Sequence, residues 1–288
     1  MKVWIAGAAG QLGCALNDVV KKERLDIELK NTDIKELDVT NLSEVLSFAR
    51  NYRPEVIFDC AAITDVGQCE NNIELAFKVN ALGARNLAIA AHEINAKIVF
   101  PSTDDVFNGI RQVPYHEFDE TDPMTGYGRS KLAGENYVKE FTHRHFIIRS
   151  NWLFGRGNDS NFVNQILNAI ETKTELHISS DQYGSPTSAN ALASFMYRMI
   201  RTEAYGTYHV TCDGVCNRYE FAQEIVRLSG KEVKVIPVPT RKAEYCSARP
   251  TYTVLDNFLL RTLEIASMPT WLEALEEYME EIKRYKDR

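Results

Sequence analysis

Tyr127 and Lys131 stand four residues apart in Tyr127-Gly128-Arg129-Ser130-Lys131, at the head of a segment that the pattern predicts as helix to about Phe141. One turn separates them, so both side chains leave the same face. A free phenol has a pKa near 10, too high for easy proton exchange at neutral pH. An ammonium about 4 Å away, at an effective dielectric near 20, contributes on the order of 4 kcal/mol. That is enough to lower the phenol by about three units, into the range of a general acid. Spacing alone is weak support, since roughly one Tyr-x-x-x-Lys is expected by chance in such a chain. Upstream, Ser102-Thr103 ends a predicted strand and brings a hydroxyl able to hold a carbonyl oxygen. On its own, Thr103 reads better as a loop cap.

The first residues supply a second chemistry. Lys2 to Ala6 is a short apolar run, glycines follow at 7, 10 and 13, and a helical segment runs from Leu12 to Lys22. Strand, glycine turn and helix set a diphosphate against a helix N-terminus, where free N–H groups and the helix dipole favour an anion. Any Cβ in the turn would hold the backbone away from the phosphate oxygens. A second strand is predicted over Ile27 to Lys30, and Asp33 follows it, 20 residues after Gly13. A carboxylate there binds an adenosine ribose diol and repels a 2′-phosphate, which favours NAD(H). Lys30 and Lys35 lie close enough in sequence to offset the repulsion, so NADP(H) stays open.

These residues need a frame. After Asp33, Thr40 or Asn41 can cap a helix from Leu42 to Tyr52, closed by Pro54. A buried strand is predicted over Val56 to Ala62, and its small residues leave room either for a cofactor or only for a helix. A long helix from Ile73 to Ile94 carries Asn80 in its interior, where asparagine is a poor helix former. Lys97 to Phe100 is the next strand, with Pro101 ending it; a polar loop, the Tyr127 helix and a strand from His145 to Arg149 follow. The alternation implies a parallel sheet covered on both faces.

Beyond residue 150 the pattern loosens: a helix Asn161 to Lys173, a strand Leu176 to Ser179 and a Gly/Pro loop Asp181 to Thr187. A helix Ser188 to Thr202, a strand Gly206 to Thr211, a helix Tyr219 to Ser229, a strand Lys234 to Val238 and a terminal helix from Thr270 complete the chain. The expected fold class is α/β: a Rossmann-type doubly wound parallel sheet with a smaller C-terminal α/β substrate lobe. Residues 1–151, joined by about 188–212, form the dinucleotide-binding domain; about 152–187 and 213–288 form the lobe.

The 288 residues, 44% hydrophobic and 25% charged, are those of an ordinary soluble globule. No run approaches the roughly 18 apolar residues of a membrane span, and the N-terminus reads as strand, not as a leader, so a cytoplasmic protein is expected. A formal charge of -7 argues against nonspecific nucleic-acid binding, and an anionic substrate must meet a local basic patch. The six cysteines (14, 60, 69, 212, 216, 246) are scattered, and Cys212-x-x-x-Cys216 has the wrong spacing for a zinc knuckle. Reduced thiols and no metal are expected.

Taken together, the glycine turn, Ser102-Thr103 and Tyr127-x-x-x-Lys131 resemble an extended short-chain dehydrogenase/reductase. Finer matches are Gly10-Gln11-Leu12-Gly13, Leu37-Asp38-Val39-Thr40, Ala61-Ala62-x-Thr64, Ser102-Thr103-Asp104-x-Val106-Phe107-x-Gly109 and Tyr127-Gly128-x-Ser130-Lys131-Leu132-x-Gly134-Glu135. With Arg149-x-x-Trp152, Asp181-Gln182-x-Gly184-x-Pro186-Thr187 and Ala248-Arg249-Pro250, they resemble the dTDP-4-dehydrorhamnose reductases across nearly the whole chain.

The resemblance implies hydride transfer from a reduced nicotinamide to the C4 ketone of a nucleotide-linked 6-deoxy-4-ketohexose, in deoxysugar or surface-polysaccharide synthesis. Tyr127 would donate the proton, Lys131 would lower its pKa and hold the nicotinamide ribose, and Thr103 would bond the reacting oxygen. Cofactor contacts would come from Gly7, Gly10, Gln11, Leu12, Gly13, Asp33, Asp38, Val39, Ala61, Ala62, Ile63, Asn80, Tyr127 and Lys131. Substrate contacts would come from Thr103, Asp104, Asp105 and Trp152, with Arg156, Arg218, Arg241 and Arg249 as candidates for its diphosphate.

Several positions depart from the family text. Asp105 stands where the family has tyrosine, and Ile63, Gly67 and Gln68 also differ, which leaves the exact sugar open. Some members dimerise through Mg2+ held by glutamates; the matching positions here are Ala15 and Asn190, so no such site is expected, and the chain is a monomer or homodimer. Two other functions share the fold: a dinucleotide-binding regulatory subunit of the kind that partners methionine adenosyltransferase, and a nucleotide-sugar epimerase or dehydratase. The intact Tyr127/Lys131 pair argues against the first and the reductase-like surrounding text against the second.

Overall fold

The computed structural model describes residues 1–22, 27–242 and 250–286. Six strands form one parallel sheet in the order β2-β1-β3-β4-β5-β10. They are β1 (Lys2–Ala6), β2 (Glu28–Thr32), β3 (Val56–Asp59), β4 (Lys97–Thr103), β5 (His145–Ser150) and, from the second half, β10 (Gly206–His209). The connections around β1 run first outward to β2 and then back to β3, so a crevice opens at the C-terminal ends of β1 and β3.

Helices cover both faces because the strands alternate between two apolar layers. Val3, Ile5, Val56, Phe58 and Val99 pack under α1 (Gln11–Lys22) and α8 (Ala189–Met199). Trp4, Ala6, Ile57, Ile98 and Phe100 pack under α2 (Leu42–Tyr52), α5 (Ala84–Glu93) and α6 (Gly126–Phe141). Two short helices, α3 (Val66–Asn71) and α4 (Ile73–Phe77), precede α5. Asn41 is the α2 cap, its side chain accepting from Glu44 N–H at 3.3 Å.

The second half builds a third apolar cluster from Phe154, Ile166, Ile178, Phe221 and Leu275. Its elements are β6 (Leu153–Phe154), α7 (Phe162–Ala169), β7 (Glu175–Ser179), β8 (Tyr183–Gly184) and β9 (Thr187–Ser188). After α8 and β10 come β11 (Cys216–Asn217), α9 (Arg218–Ser229), β12 (Lys234–Val238), α10 (Phe258–Thr262) and α11 (Trp271–Lys286). Three two-stranded pairs, β7–β12, β8–β11 and β6–β9, hold it together. Among the described residues no helix is long and apolar enough to cross a membrane.

The structure corrects several boundaries. β4 runs through Pro101 to Thr103. Lys97 N–H points to Glu55 O on the β3 side and Ile98 N–H to Arg144 O on the β5 side, so Pro101 turns its missing donor toward β3. The β3–β4 ladder has already ended at Val99, so no ladder bond is lost. β3 stops at Asp59, not Ala62, because its partner β1 ends at the Gly7 turn. The long helix from Ile73 opens into a π-helical turn over Lys78–Gly83, centred near Asn80. α7 ends at Ala169, where Thr172 and Lys173 N–H fold back on Ala169 O. β10 ends at His209, opposite Arg149, and the Gly/Pro loop contains β8 and β9. The polar loop after β4 buries Val106, Phe107 and Tyr115 against Leu255.

Candidate active site

The glycine turn closes on the loop after β3. Gly7 has φ +77°, and a Cβ on it would sit 2.6 Å from Ala61 N and from the Cys60 carbonyl carbon. A Cβ on Gly13 would strike Gly7 O, so α1 can start flush against the turn only with glycine there. A Cβ on Gly10 would meet only Gly7 O, at 3.4 Å. The backbone at Gly10 therefore fronts open space, and α1 makes its first bond from Cys14 N–H to Gly10 O at 2.8 Å. The N–H groups of its first turn point out of the helix end. This cradle fits the diphosphate of a dinucleotide.

Its rim is already ordered. Both Asp33 oxygens accept from Ala9 N–H, at 3.0 and 3.2 Å. Leu12 is buried in the core beneath, and buried Gln11 has no partner for Nε2 among the described residues. Asp38 accepts from Thr40 N–H at 2.9 Å, and Val39 O accepts from Asn86 Nδ2 at 3.0 Å, which shapes the neighbouring loop.

The π turn has a local cause and a use. Asn80 accepts from Ile63 N–H at 2.8 Å and donates to Ile63 O at 3.0 Å and Ser130 Oγ at 2.9 Å. Ser130 Oγ in turn donates to Tyr127 O at 2.8 Å. One amide thus ties the loop carrying Ala61, Ala62 and Ile63 to the first turn of α6. Thr125 caps that turn, accepting from Gly128 N–H at 2.9 Å. Tyr127 is buried against Ile63, Val66, Cys69 and Ala76.

Thr103 ends β4 and caps a 3-10 turn over Asp104–Val106. Its Oγ1 accepts from Asp105 N–H at 3.1 Å and donates to Asp104 Oδ1 at 3.0 Å. Asp104 and Asp105 are 2% and 1% exposed. The Asp105 side chain is therefore held inside the protein and not displayed as surface charge.

Lys131 is 3% exposed and its Nζ lies 3.9 Å from the centroid of the Phe100 ring. Burial pulls its pKa down to about 8, against the opposing charges of Asp59 and Glu135. Asp59, equally buried, is pushed up to about 6 by burial, with Lys131 opposing. Deeper along α6, Glu135 takes both Arg149 Nε at 2.8 Å and Nη2 at 2.7 Å, and Ser102 Oγ at 2.6 Å. Burial raises the Glu135 pKa, but Arg149, Lys139 and Ser102 outweigh it and hold the carboxyl below its ordinary range. His209 donates from Nδ1 to Tyr115 O at 3.0 Å; burial and Arg149 lower its pKa to about 3, so the ring is neutral.

Beyond β5, Trp152 has the left-handed backbone φ 43°, unusual for a bulky residue. The Arg218 guanidinium lies 3.6 Å from the Trp152 ring centroid and 4.6 Å from that of Phe162.

A family model described as RmlD substrate binding domain matches residues 1–284. The chain belongs to that family. Family members include the dTDP-4-dehydrorhamnose reductases, which are NAD(P)-dependent oxidoreductases. The chain is 38% identical to the spore coat polysaccharide biosynthesis protein SpsK of Bacillus subtilis, over 97% of each chain. It is 33% identical to a dTDP-4-keto-6-deoxy-D-glucose reductase of Streptomyces niveus, over 94% of each. A Clostridium acetobutylicum dTDP-4-dehydrorhamnose reductase structure superposes with TM-score 0.94 at 42% identity, covering 98% of this chain and 100% of that one. A Bacillus anthracis dTDP-4-dehydrorhamnose reductase solved in complex with NADP gives TM-score 0.91 at 40% identity, covering 97% and 99%.

Within the family frame, the expected positions separate into groups. The glycine turn, Asp33, Ala61 to Ile63, Asn80, Thr103, Tyr127 and Lys131 all gather at the C-terminal edge of the sheet. Of the four arginines, Arg156 is committed elsewhere: it pairs with Asp18 on α1 and, at 2.7 Å, with Glu281 on α11. Arg218 lies against Trp152, Arg241 is exposed after β12, and Arg249 lies outside the described residues, as does Cys246. Ala15 is buried in α1, and Asn190 donates to Glu281 at 3.3 Å. Among the described residues no cluster of three or more His, Cys, Asp or Glu side chains could hold a metal. The sequence reading passed over Asp59; the signal was a single carboxylate ending the otherwise apolar run Val56-Ile57-Phe58.

Proposed function

We propose that this protein reduces the C4 ketone of a nucleotide-linked 4-keto-6-deoxyhexose with NAD(P)H. The observation that carries the reading is the meeting of the diphosphate cradle and the Tyr127/Lys131 face of α6 at one strand edge. The dinucleotide supplies the hydride. Tyr127 gives its phenolic proton to the ketone oxygen, and the Lys131 ammonium stabilises the phenolate left behind. Thr103 Oγ1, now turned to Asp104 Oδ1, rotates to donate to the same oxygen. Residues 1–151 with about 188–212 hold the dinucleotide; about 152–187 and 213–288 hold the nucleotide sugar, with Trp152 along the hexose.

SpsK's name links its work to spore-coat polysaccharide, which supports a role for this chain in surface-polysaccharide synthesis. Relatives named for two different keto-sugar reductions stand at similar identity, so the hexose is assigned by class only. Asp33 favours NADH; the NADP complex of the Bacillus anthracis reductase supports NADPH as the other carrier. The test follows absorbance as NADH or NADPH is oxidised by the purified protein with dTDP-4-keto-6-deoxy-L-mannose or its D-gluco counterpart. Turnover with either sugar, lower KM for NADH, and a loss of about 100-fold or more in Tyr127→Phe are expected. Product formation without net oxidation of the dinucleotide would make the protein an epimerase.

A further inference from the structure

Strand alternation decides where Asp59 points. On β3, Val56 and Phe58 join the layer under α1 and α8, whereas Ile57 joins the layer under α5 and α6. Asp59, two residues on from Ile57, faces that second layer, and so does Phe100 on the adjacent strand β4. Helix α6 crosses directly above: a Cβ on its Gly134 would come 2.8 Å from the Phe100 ring. One turn toward the helix N-terminus, Lys131 lowers its ammonium onto the same ring. Carboxylate and ammonium thus share one dry layer, each 3% exposed, and Asp59 Oδ1 has no hydrogen-bond partner among the described residues.

We propose that Asp59 is a positioning residue for the reduction, its buried carboxylate keeping the Lys131 ammonium charged and seated against the sheet beside Tyr127. The proposal rests on the roles given above to Tyr127 and Lys131. The other groups facing Lys131 do not substitute for it. Glu135, four residues along α6, acts on Lys131 in the same sense, but its charge is shared with Arg149 and Lys139. The Cys60 thiol is held protonated by burial and the neighbouring Asp59 charge. Asp33 is engaged by Ala9 N–H at the rim. Without Asp59 only the shared charge of Glu135 is left to offset the desolvation that favours a neutral amine.

The consequence is a working window. Asp59 takes up a proton as pH falls through about 6, and Lys131 gives one up as pH rises through about 8, so both charges coexist between those values. In Asp59→Asn the acid limb of kcat/KM disappears and the alkaline limb moves to lower pH, while Asp59→Glu restores part of the native profile. A purely structural role would reduce kcat and leave both limbs in place. The direct readout uses apo-protein labelled with 13C at lysine Cε, with Lys131 assigned by its disappearance in Lys131→Arg. A Lys131 midpoint near 8 is expected in the native protein, with a fall of about one unit or more in Asp59→Asn. A second arm follows the Asp59 carboxyl carbon, which titrates near 6 in the native protein and higher in Lys131→Met. An unmoved midpoint in either folded variant overturns the proposal. Because neither dinucleotide nor sugar is present, a native protein that fails as a reductase leaves this result standing.

Discussion

Beneath α6, Ser102 and Arg149 grip Glu135, and Asn80 grips Ser130 and the Ile63 backbone, through directional hydrogen bonds; at the far end of β5, Arg218 lies on the faces of Trp152 and Phe162. The first arrangement tolerates little displacement, since hydrogen bonds weaken steeply away from their preferred distance and angle, and a buried group left unpaired is costly. The second includes a guanidinium stacked on two ring faces, an attraction that holds over a range of lateral positions. The contrast matches the two tasks of the proposed reduction. A hydride donor, a phenol and a lysine must be placed to a fraction of an ångström, whereas a lobe that admits and releases a nucleotide sugar must adapt.

The sharpest way to break this contrast is Glu135→Gln, which strands Arg149 as an unmatched buried charge. A loss of about 3–5 kcal/mol in urea unfolding is expected; a loss under about 1 kcal/mol would show that the layer beneath α6 is no more exacting than the lobe. Next in size is Gly7→Val, which puts a side chain into the Ala61 and Cys60 backbone at a positive φ. Dinucleotide binding should weaken by about 100-fold, roughly 2.7 kcal/mol by calorimetry, with the fold retained. The smallest effect belongs to Arg218→Ala. A rise of about tenfold in KM for the nucleotide sugar is expected, with dinucleotide affinity unchanged. An equal loss of both would mean that the two regions are not separate in function.

Legibility in the sequence follows the same division. The cradle was readable because its geometry is local: three glycines and the start of the helix lie within the first thirteen residues. That Tyr127 and Lys131 ride on one helix was readable because the segment to Phe141 keeps helical spacing. Apart from the family resemblance, Asn80 stood out only as a poor helix former; the loop at Ile63 and Ser130 on α6 that it joins lie 17 and 50 residues away. Asp59 faces a lysine from another element, and only the strand order shows that they share a layer. Arg156 looked like a phosphate ligand because sequence does not reveal that α1 and α11 bring Asp18 and Glu281 to it. Pro101 was read as a strand end because a ladder's last bond, at Val99, is invisible without its neighbour.

The central claim concerns one hydrogen atom. NADH and NADPH carrying deuterium at the transferable C4 position of the nicotinamide ring are to be supplied in turn with the keto sugar, and the isolated product read by proton NMR. Deuterium at hexose C4, with the H4 signal lost in step with dinucleotide oxidation, is the result expected. A product formed with C4 bearing ordinary hydrogen, or with the label at another carbon, would contradict direct hydride transfer to that ketone.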